Sequence, residues 1–170
     1  MEHKKKQKAP SIKLPDTVID LIDLGRLQRE VEAIGDFIEQ AQVRAPGESL
    51  TMPRTTQDLD ALVRQSELNM LVDEERQRLA AFLENVRDKA PVIHVSFAAE
   101  PSDVFLQKVV AWFRANIHAQ TLLQIGMQPS IAAGCVVRTP NKYFDFSLRQ
   151  HFYKHTDILI KKLAAAESTS

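Results

Sequence analysis

Apolar side chains recur at helical spacing through the first half of the chain. One stripe comprises Leu27, Val31, Ile34, Ile38 and Ala41. Because charged residues fill the positions between them, this spacing predicts an amphipathic helix. The run TVIDLIDLG upstream predicts a short helix or turn, and Gly25 and Gly35 argue against one unbroken rod. Pro46 and Gly47 are expected to end the helix.

Two further helices are predicted before Pro91, which makes the N-terminal part all-helical. The first begins near Thr55 or Thr56. Its inward-facing residues are Leu59, Leu62 and Val63. The second begins at Asp73, whose carboxylate is expected to cap the backbone amides of the first turn. Its inward-facing residues are Leu79, Phe82, Leu83 and Val86.

From Pro91 onward the pattern alternates as in a β-strand. The run VIHVSFA places three apolar residues on one face and His94 and Ser96 on the other. Ser102 is expected to cap a following helix with a broad apolar face. That face comprises Phe105, Leu106, Val109, Val110, Trp112, Phe113 and Ile117.

Three more strands and a last helix complete the predicted order. The strands are TLLQIGM, GCVVRT and KYFDF, and Pro140-Asn141 forms a two-residue turn between the last two. The helix runs from Ser147, with Leu148, Phe152, Leu159 and Leu163 facing inward. A helix between the first two strands predicts a right-handed parallel crossover, followed by an antiparallel ribbon.

The sequence therefore predicts an α+β fold. An N-terminal helical bundle is followed by a small mixed α/β domain in the order strand, helix, strand, hairpin, helix. The expected boundaries are a disordered basic tail over 1–14, a helical domain over 15–90, a mixed domain over 91–165 and a disordered tail over 166–170.

Composition narrows the class of protein. Lys and Arg total 22, as do Asp and Glu, so net charge gives no argument for nucleic acid binding. Four lysines within residues 4–8 are read as a solvated tail, with acidic lipid or nucleic acid as the alternative partners. A single cysteine favours a reducing compartment. The lack of a long apolar run or a signal peptide predicts a soluble, cytoplasmic protein.

Reactive chemistry has one candidate constellation. Cys135, His94 and Asp145 are candidates for a nucleophilic triad across the sheet, since a cysteine nucleophile needs a base. Yet Cys135 lies within an alternating strand between apolar neighbours, which favours a buried structural cysteine.

Other site chemistry is not expected. His151 and His155 have the spacing of two metal ligands on one helix face, but the run HFYKH lacks the glutamate of a zinc protease motif. The chain has no GxxxxGK or GxGxxG motif to cradle a phosphate. No catalytic residue, cofactor or metal is therefore predicted.

The aromatic residues suggest a core and a partner surface. Phe105, Trp112 and Phe113 are expected to be core rather than a platform for nucleic acid bases. Tyr143, Phe144 and Phe146 cannot all point inward from one strand. An exposed pair there would mark a protein interaction surface.

The stretch PSIAAGCVVRTPNKYFDFSLRQHF resembles the signature of the delta subunit of F-type ATP synthases, called OSCP in mitochondria. The matching residues are Pro129, Ser130, Ile131, Gly134, Val136, Val137, Arg138, Lys142, Asp145, Ser147, Leu148 and Arg149. The resemblance covers roughly residues 90–163. Gln128, Ala133 and Phe146 depart from it, the last standing where the family has glycine. The family's N-terminal domain is a six-helix bundle that opens with a Tyr-Ala motif, whereas no tyrosine precedes Tyr143 here.

The resemblance implies a non-catalytic stator role. The family's delta subunit joins the catalytic head of alpha and beta subunits to the b subunits of the peripheral stalk and resists rotor torque. It implies a hetero-oligomer at the cytoplasmic face of the membrane, without a membrane span of its own. Two alternatives are a peripheral-stalk E-like subunit of an archaeal or vacuolar-type ATPase and, from another class, a small cysteine hydrolase.

Overall fold

The structure, a computed structural model, describes residues 12–43, 51–131, 133–139, 141–148, 153, 155–156 and 160. The α-helices are α1 (Leu21–Val43), α2 (Gln57–Gln65), α3 (Asp73–Lys89) and α4 (Asp103–Asn116). The strands are β1 (Val92–Phe97), β2 (Leu122–Met127), β3 (Cys135–Thr139) and β4 (Lys142–Asp145). A short 3-10 helix spans Pro129–Ile131. The predicted α+β fold is confirmed.

The chain divides into two compact units. The first comprises Met1–Pro91 and Leu106–Leu122, and the second comprises Val92–Phe105 and Leu123–Ser170. The helices α1 to α3 therefore group with most of α4, whereas the sequence assigned α4 to the mixed domain. Most of the predicted terminal tails, and Phe152, Leu159 and Leu163 of the last helix, lie outside the described residues.

In the first unit α1 runs unbroken through Gly25 and Gly35, the two residues that weakened the prediction of a single rod. At Gly35 the nearest neighbour is a side chain of α3. A Cβ there would lie 3.9 Å from Nε of Arg76, which is buried on α3. Arg76 donates to the Met70 carbonyl oxygen at 2.9 Å and to an Asp73 carboxylate oxygen at 2.8 Å. Gly35 is therefore in ordinary contact range of a buried guanidinium where α1 packs on α3.

The beginning of α2 is confirmed and the cap of α3 is corrected. Thr56 caps α2, its Oγ1 accepting from the Leu59 amide at 3.4 Å. A carboxylate oxygen of Glu30 on α1 accepts from both the amide and the hydroxyl of Thr56 at 3.0 Å. The cap position of α3 is Val72, which has no side-chain cap. Asp73 stands one residue inside the helix, where its carboxylate pairs with Arg76 instead.

A second buried arginine connects two distant segments of the first unit. The Arg114 side chain is 7% exposed and lies in the last turn of α4. Its guanidinium donates to the carbonyl oxygens of Pro15 at 2.7 Å and Val18 at 2.6 Å, and Nε donates to that of Thr121 at 3.2 Å. Asp16 lies 3.6 Å from the same group. Arg114 therefore fixes the segment before α1 to the end of α4.

The four strands form one sheet in the order β2-β1-β3-β4. The Leu122 amide donates to the Pro91 carbonyl, and the Gln128 amide donates to the Phe97 carbonyl. The sequence separation between donor and acceptor is the same in both bonds, so β1 and β2 are parallel. Both other pairings, β1 with β3 and β3 with β4, are antiparallel. The sheet is thus mixed, as the predicted crossover and ribbon require, and β1 is an inner strand.

Burial confirms the strand faces but corrects two apolar stripes. Ile93, Val95 and Phe97 on β1 are buried, while His94 is exposed. On α4, Leu106, Val110 and Phe113 are buried. Phe105 and Trp112 on the same helix are exposed, as is Ile117 just after its end, so the predicted aromatic core is wrong for Phe105 and Trp112. Leu148, also expected to face inward, is 47% exposed.

Candidate partner-binding site

The signature residues gather on the hairpin and on the segment that leads into it. Pro129 and Ser130 are exposed on the 3-10 helix, and Val136 and Arg138 lie on β3. Asp145 ends β4, and its carboxylate accepts from the Ser147 amide at 2.8 Å. Leu148 follows, and Arg149 lies outside the described residues.

Gly134 fixes the geometry at the start of this hairpin. Its φ is +92°, a backbone conformation that favours glycine. A Cβ on it would lie 3.0 Å from the Ser147 Cα and closer still to the Phe146 carbonyl oxygen. The Phe146 amide donates to the Cys135 carbonyl at 2.9 Å and the Leu148 amide to that of Ala133 at 3.0 Å. Backbones therefore meet here without space for a side chain.

This contact concerns Phe146, which stands where the delta-subunit signature that the sequence resembles has glycine. The Phe146 backbone lies against Gly134, and the two can approach this closely because Gly134 has no side chain. The Phe146 ring is free to point outward and is 61% exposed.

The candidate triad of Cys135, His94 and Asp145 is not assembled. Cys135 pairs with Phe97 in the β1–β3 ladder, whereas His94 pairs with Arg138, three residues away. Side chains three positions apart on a strand project from opposite faces of the sheet. His94 is therefore on the other face from Cys135 and cannot act as its base.

The Cys135 thiol has the surroundings of a packing residue. It is half-buried, and that burial raises the pKa of the thiol. Because the thiolate is the nucleophile, a raised pKa lowers its population at neutral pH.

Metal-binding side chains do not cluster within the described residues. There, no three His, Cys, Asp or Glu side chains come together as a group that could hold a metal ion. His151, one member of the candidate metal pair, lies outside those residues.

An aromatic strip occupies the face of the sheet that carries Cys135. Phe144 and Phe146 stack with centroids 6.1 Å apart and ring planes at 11°. Phe146 lies beside Cys135, which pairs with Phe97. The Phe97 ring in turn meets that of Phe105 edge to face, with centroids 6.0 Å apart. We call these four phenylalanines and Cys135 the aromatic strip.

The strip is largely open to solvent. Phe105, Phe144 and Phe146 are exposed, and only Phe97 among its four aromatic rings is buried. All three aromatic residues of the hairpin, Tyr143, Phe144 and Phe146, are exposed, and Phe144 and Phe146 adjoin on this face. Sequence reasoning missed Phe105, although seven apolar residues on a fourteen-residue helix exceed what a single buried face holds.

Tyr143 is exposed on the opposite face of the sheet. Its ring lies under the Arg138 guanidinium, with 5.4 Å from the guanidinium carbon to the ring centroid. The hairpin thus presents an apolar surface on one side and a polar one on the other.

Among the described residues, no helix combines the length and apolar character needed to cross a membrane. No protein-family model and no curated protein matches the sequence.

Proposed function

We propose that this chain is a non-catalytic stator subunit of an F-type proton-translocating ATP synthase. In this role it links the catalytic head of alpha and beta subunits to the b-subunit stalk and resists rotor torque. Its partners hold it at the cytoplasmic face of the membrane. The proposal rests on the resemblance of residues 90–163 to the delta subunit and on the aromatic strip.

The aromatic strip is the observation that carries the proposal. Exposed aromatic side chains that adjoin one another are typical of protein interfaces, where they supply most of the binding energy. On the sheet the strip spans β1, β3 and β4 with the residue that follows it, a width of about 10 Å at the usual strand spacing. That width matches about two turns of an α-helix.

We assign an amphipathic helix of the b-type stalk subunit to this surface. Helices bind such surfaces through apolar side chains spaced three and four residues apart. Complete burial of one phenylalanine ring stabilises a complex by about 1.5–3 kcal/mol. Phe146, the most exposed ring of the strip, is therefore the most informative residue to change.

The test is affinity purification of the tagged full chain from native membranes, with mass spectrometry of the chains that copurify. The proposal expects the alpha, beta and b subunits. Phe146→Asp should lower the recovery of b about tenfold or more, since it places a charge in an apolar contact. Ile22→Asp, a change of an exposed apolar residue at the beginning of α1, is the matched control and should recover b normally.

The two parts of the proposal fail separately. Purification of the unaltered chain without alpha, beta and b contradicts the stator role itself. Normal recovery of b with the Phe146→Asp variant contradicts the assignment of the aromatic strip and leaves the role in place.

A further inference from the structure

A row of polar side chains crosses the face of the sheet opposite the aromatic strip. His94 on β1 pairs with Arg138 on β3, which pairs with Tyr143 on β4. On the other side of β1, Gly126 of β2 lies beside Ser96, since a Cβ on Gly126 would be 3.4 Å from the Ser96 hydroxyl. Two residues earlier on both parallel strands, Gln124 therefore stands beside His94. We call Gln124, His94, Arg138 and Tyr143 the polar row.

All four side chains of the polar row are available to a ligand. Each is exposed. Within the described part of the chain, none donates or accepts a side-chain hydrogen bond or forms an ion pair, and the one contact recorded is that of Arg138 with the Tyr143 ring. Strand spacing sets neighbours about 5 Å apart, so the row is about 15 Å long.

The chemistry of the row suits an acceptor that carries negative charge. A guanidinium, an imidazole, a phenol and an amide all donate hydrogen bonds, and Arg138 adds a permanent positive charge. Stacking of Arg138 on Tyr143 holds the guanidinium over the sheet, which reduces the entropy lost when it binds a carboxylate with both of its donor edges.

From this geometry we propose that the polar row binds an acidic, extended segment of a partner protein, with one carboxylate on Arg138. An extended peptide advances about 3.3 Å per residue, so four or five residues span the row. Alternate side chains of such a segment face the sheet and place carboxylates about 7 Å apart.

Charge argues for a peptide over a nucleic acid strand. The row contains one permanently charged cation, and the neighbouring row on the same face contains Asp145. A nucleic acid strand would bring several closely spaced phosphates over one arginine and one aspartate. A peptide can place one carboxylate on Arg138 and neutral residues elsewhere, so it brings less negative charge near Asp145 than a strand with a phosphate at every nucleotide.

The inference does not depend on the stator proposal, because the polar row and the aromatic strip lie on opposite faces of the sheet. Nuclear magnetic resonance of the isotope-labelled full chain tests it. The probe is a blocked octapeptide of alternating glutamate and threonine, and the same peptide with glutamine in place of glutamate is its control. The glutamate peptide should shift the amides flanking His94 and Arg138 and the Arg138 Nε–H signal, with a Kd of roughly millimolar order.

Variants identify the guanidinium as the group that binds. Arg138→Ala should raise the Kd about tenfold or more, since a paired charge is lost. Arg138→Gln, which keeps the bulk of the side chain, should do the same, and it replaces the alanine variant if that one does not fold. Tyr143→Phe keeps the stacked ring and removes one neutral donor, so it should raise the Kd by less than either Arg138 variant does. Arg54→Ala, an exposed arginine of the first unit, should leave the Kd unchanged.

Three results would overturn the inference. One is equal binding of the glutamine peptide. Another is an unchanged Kd with both Arg138 variants. The third is tighter binding of an oligouridylate of the same length to the same amides, which would identify the polar row as a nucleic acid surface instead.

Discussion

Substitution of Gly134 by alanine offers a sharp test of the hairpin geometry. The change introduces one methyl group at a φ of +92°, where L-residues lose about 1–2 kcal/mol. The same methyl group meets the backbone of Phe146 and Ser147, which cannot rotate away as a side chain can. The segments 133–135 and 146–148 must therefore separate.

The separation breaks two backbone hydrogen bonds, from Phe146 to Cys135 and from Leu148 to Ala133. Each is worth about 1 kcal/mol. We therefore expect Gly134→Ala to lower the unfolding free energy of the second unit by about 3–4 kcal/mol, a factor of several hundred in the equilibrium constant.

Native-state hydrogen exchange of the Phe146 and Leu148 amides measures this loss directly, since their protection should fall by about the same factor. Gly126→Ala is the matched control. The φ of Gly126 is ordinary, and a Cβ added there would meet a side-chain hydroxyl at 3.4 Å. In this variant the protection of the Phe146 and Leu148 amides should therefore change little. Phe146→Gly should not rescue Gly134→Ala, because the obstructing oxygen belongs to the main chain. Equal protection in the two alanine variants would refute the reasoning.

Three further predictions concern other residues. Arg114→Ala should lower the unfolding free energy of the first unit by about 3–5 kcal/mol, because it leaves the carbonyls that the buried guanidinium binds without that donor. Urea denaturation measures this loss. An effect no larger than that of Arg87→Ala, a change at an exposed site, contradicts the prediction. Thr56→Ala should lower the unfolding free energy by about 1–2 kcal/mol in the same assay, because α2 loses its cap and Glu30 loses a hydrogen-bond partner. Thr55→Ala, at the neighbouring residue, is its control. Because burial raises the pKa of the Cys135 thiol, iodoacetamide should label this thiol more slowly than a free thiol at pH 8. For the same reason the folded state should lose stability as pH rises above the ordinary thiol pKa. Labelling of the folded chain at the rate of the urea-unfolded chain contradicts the raised pKa.

The sequence predicts elements better than it predicts which side chains they bury. Local signals were sufficient for β1, where alternation identifies Ile93, Val95 and Phe97 as buried. They failed on α4, because apolar residues surround more than half of that helix and periodicity does not say which part meets other segments. Phe105 and Trp112 are consequently exposed where the pattern favoured burial.

Other differences arise from contacts distant in sequence. Gly35 lies inside α1 next to Arg76, forty-one positions away, and no local rule includes that neighbour. Asp73 has the residue type of a helix cap, yet it is the first residue of α3, the cap position is Val72, and the Asp73 carboxylate binds Arg76. The candidate triad failed for a related reason, since composition does not reveal that His94 and Cys135 occupy opposite faces.

The inner position of β1 has a consequence for synthesis on the ribosome. β1 emerges before both of its partners, and its parallel pairing with β2 must wait for the whole of α4. Its other edge stays open until β3 emerges, more than thirty residues later. A chain that ended before Cys135 would present the edge of an apolar strand to other chains, and such edges promote aggregation. The hairpin that carries the aromatic strip therefore also protects the nascent sheet once it docks.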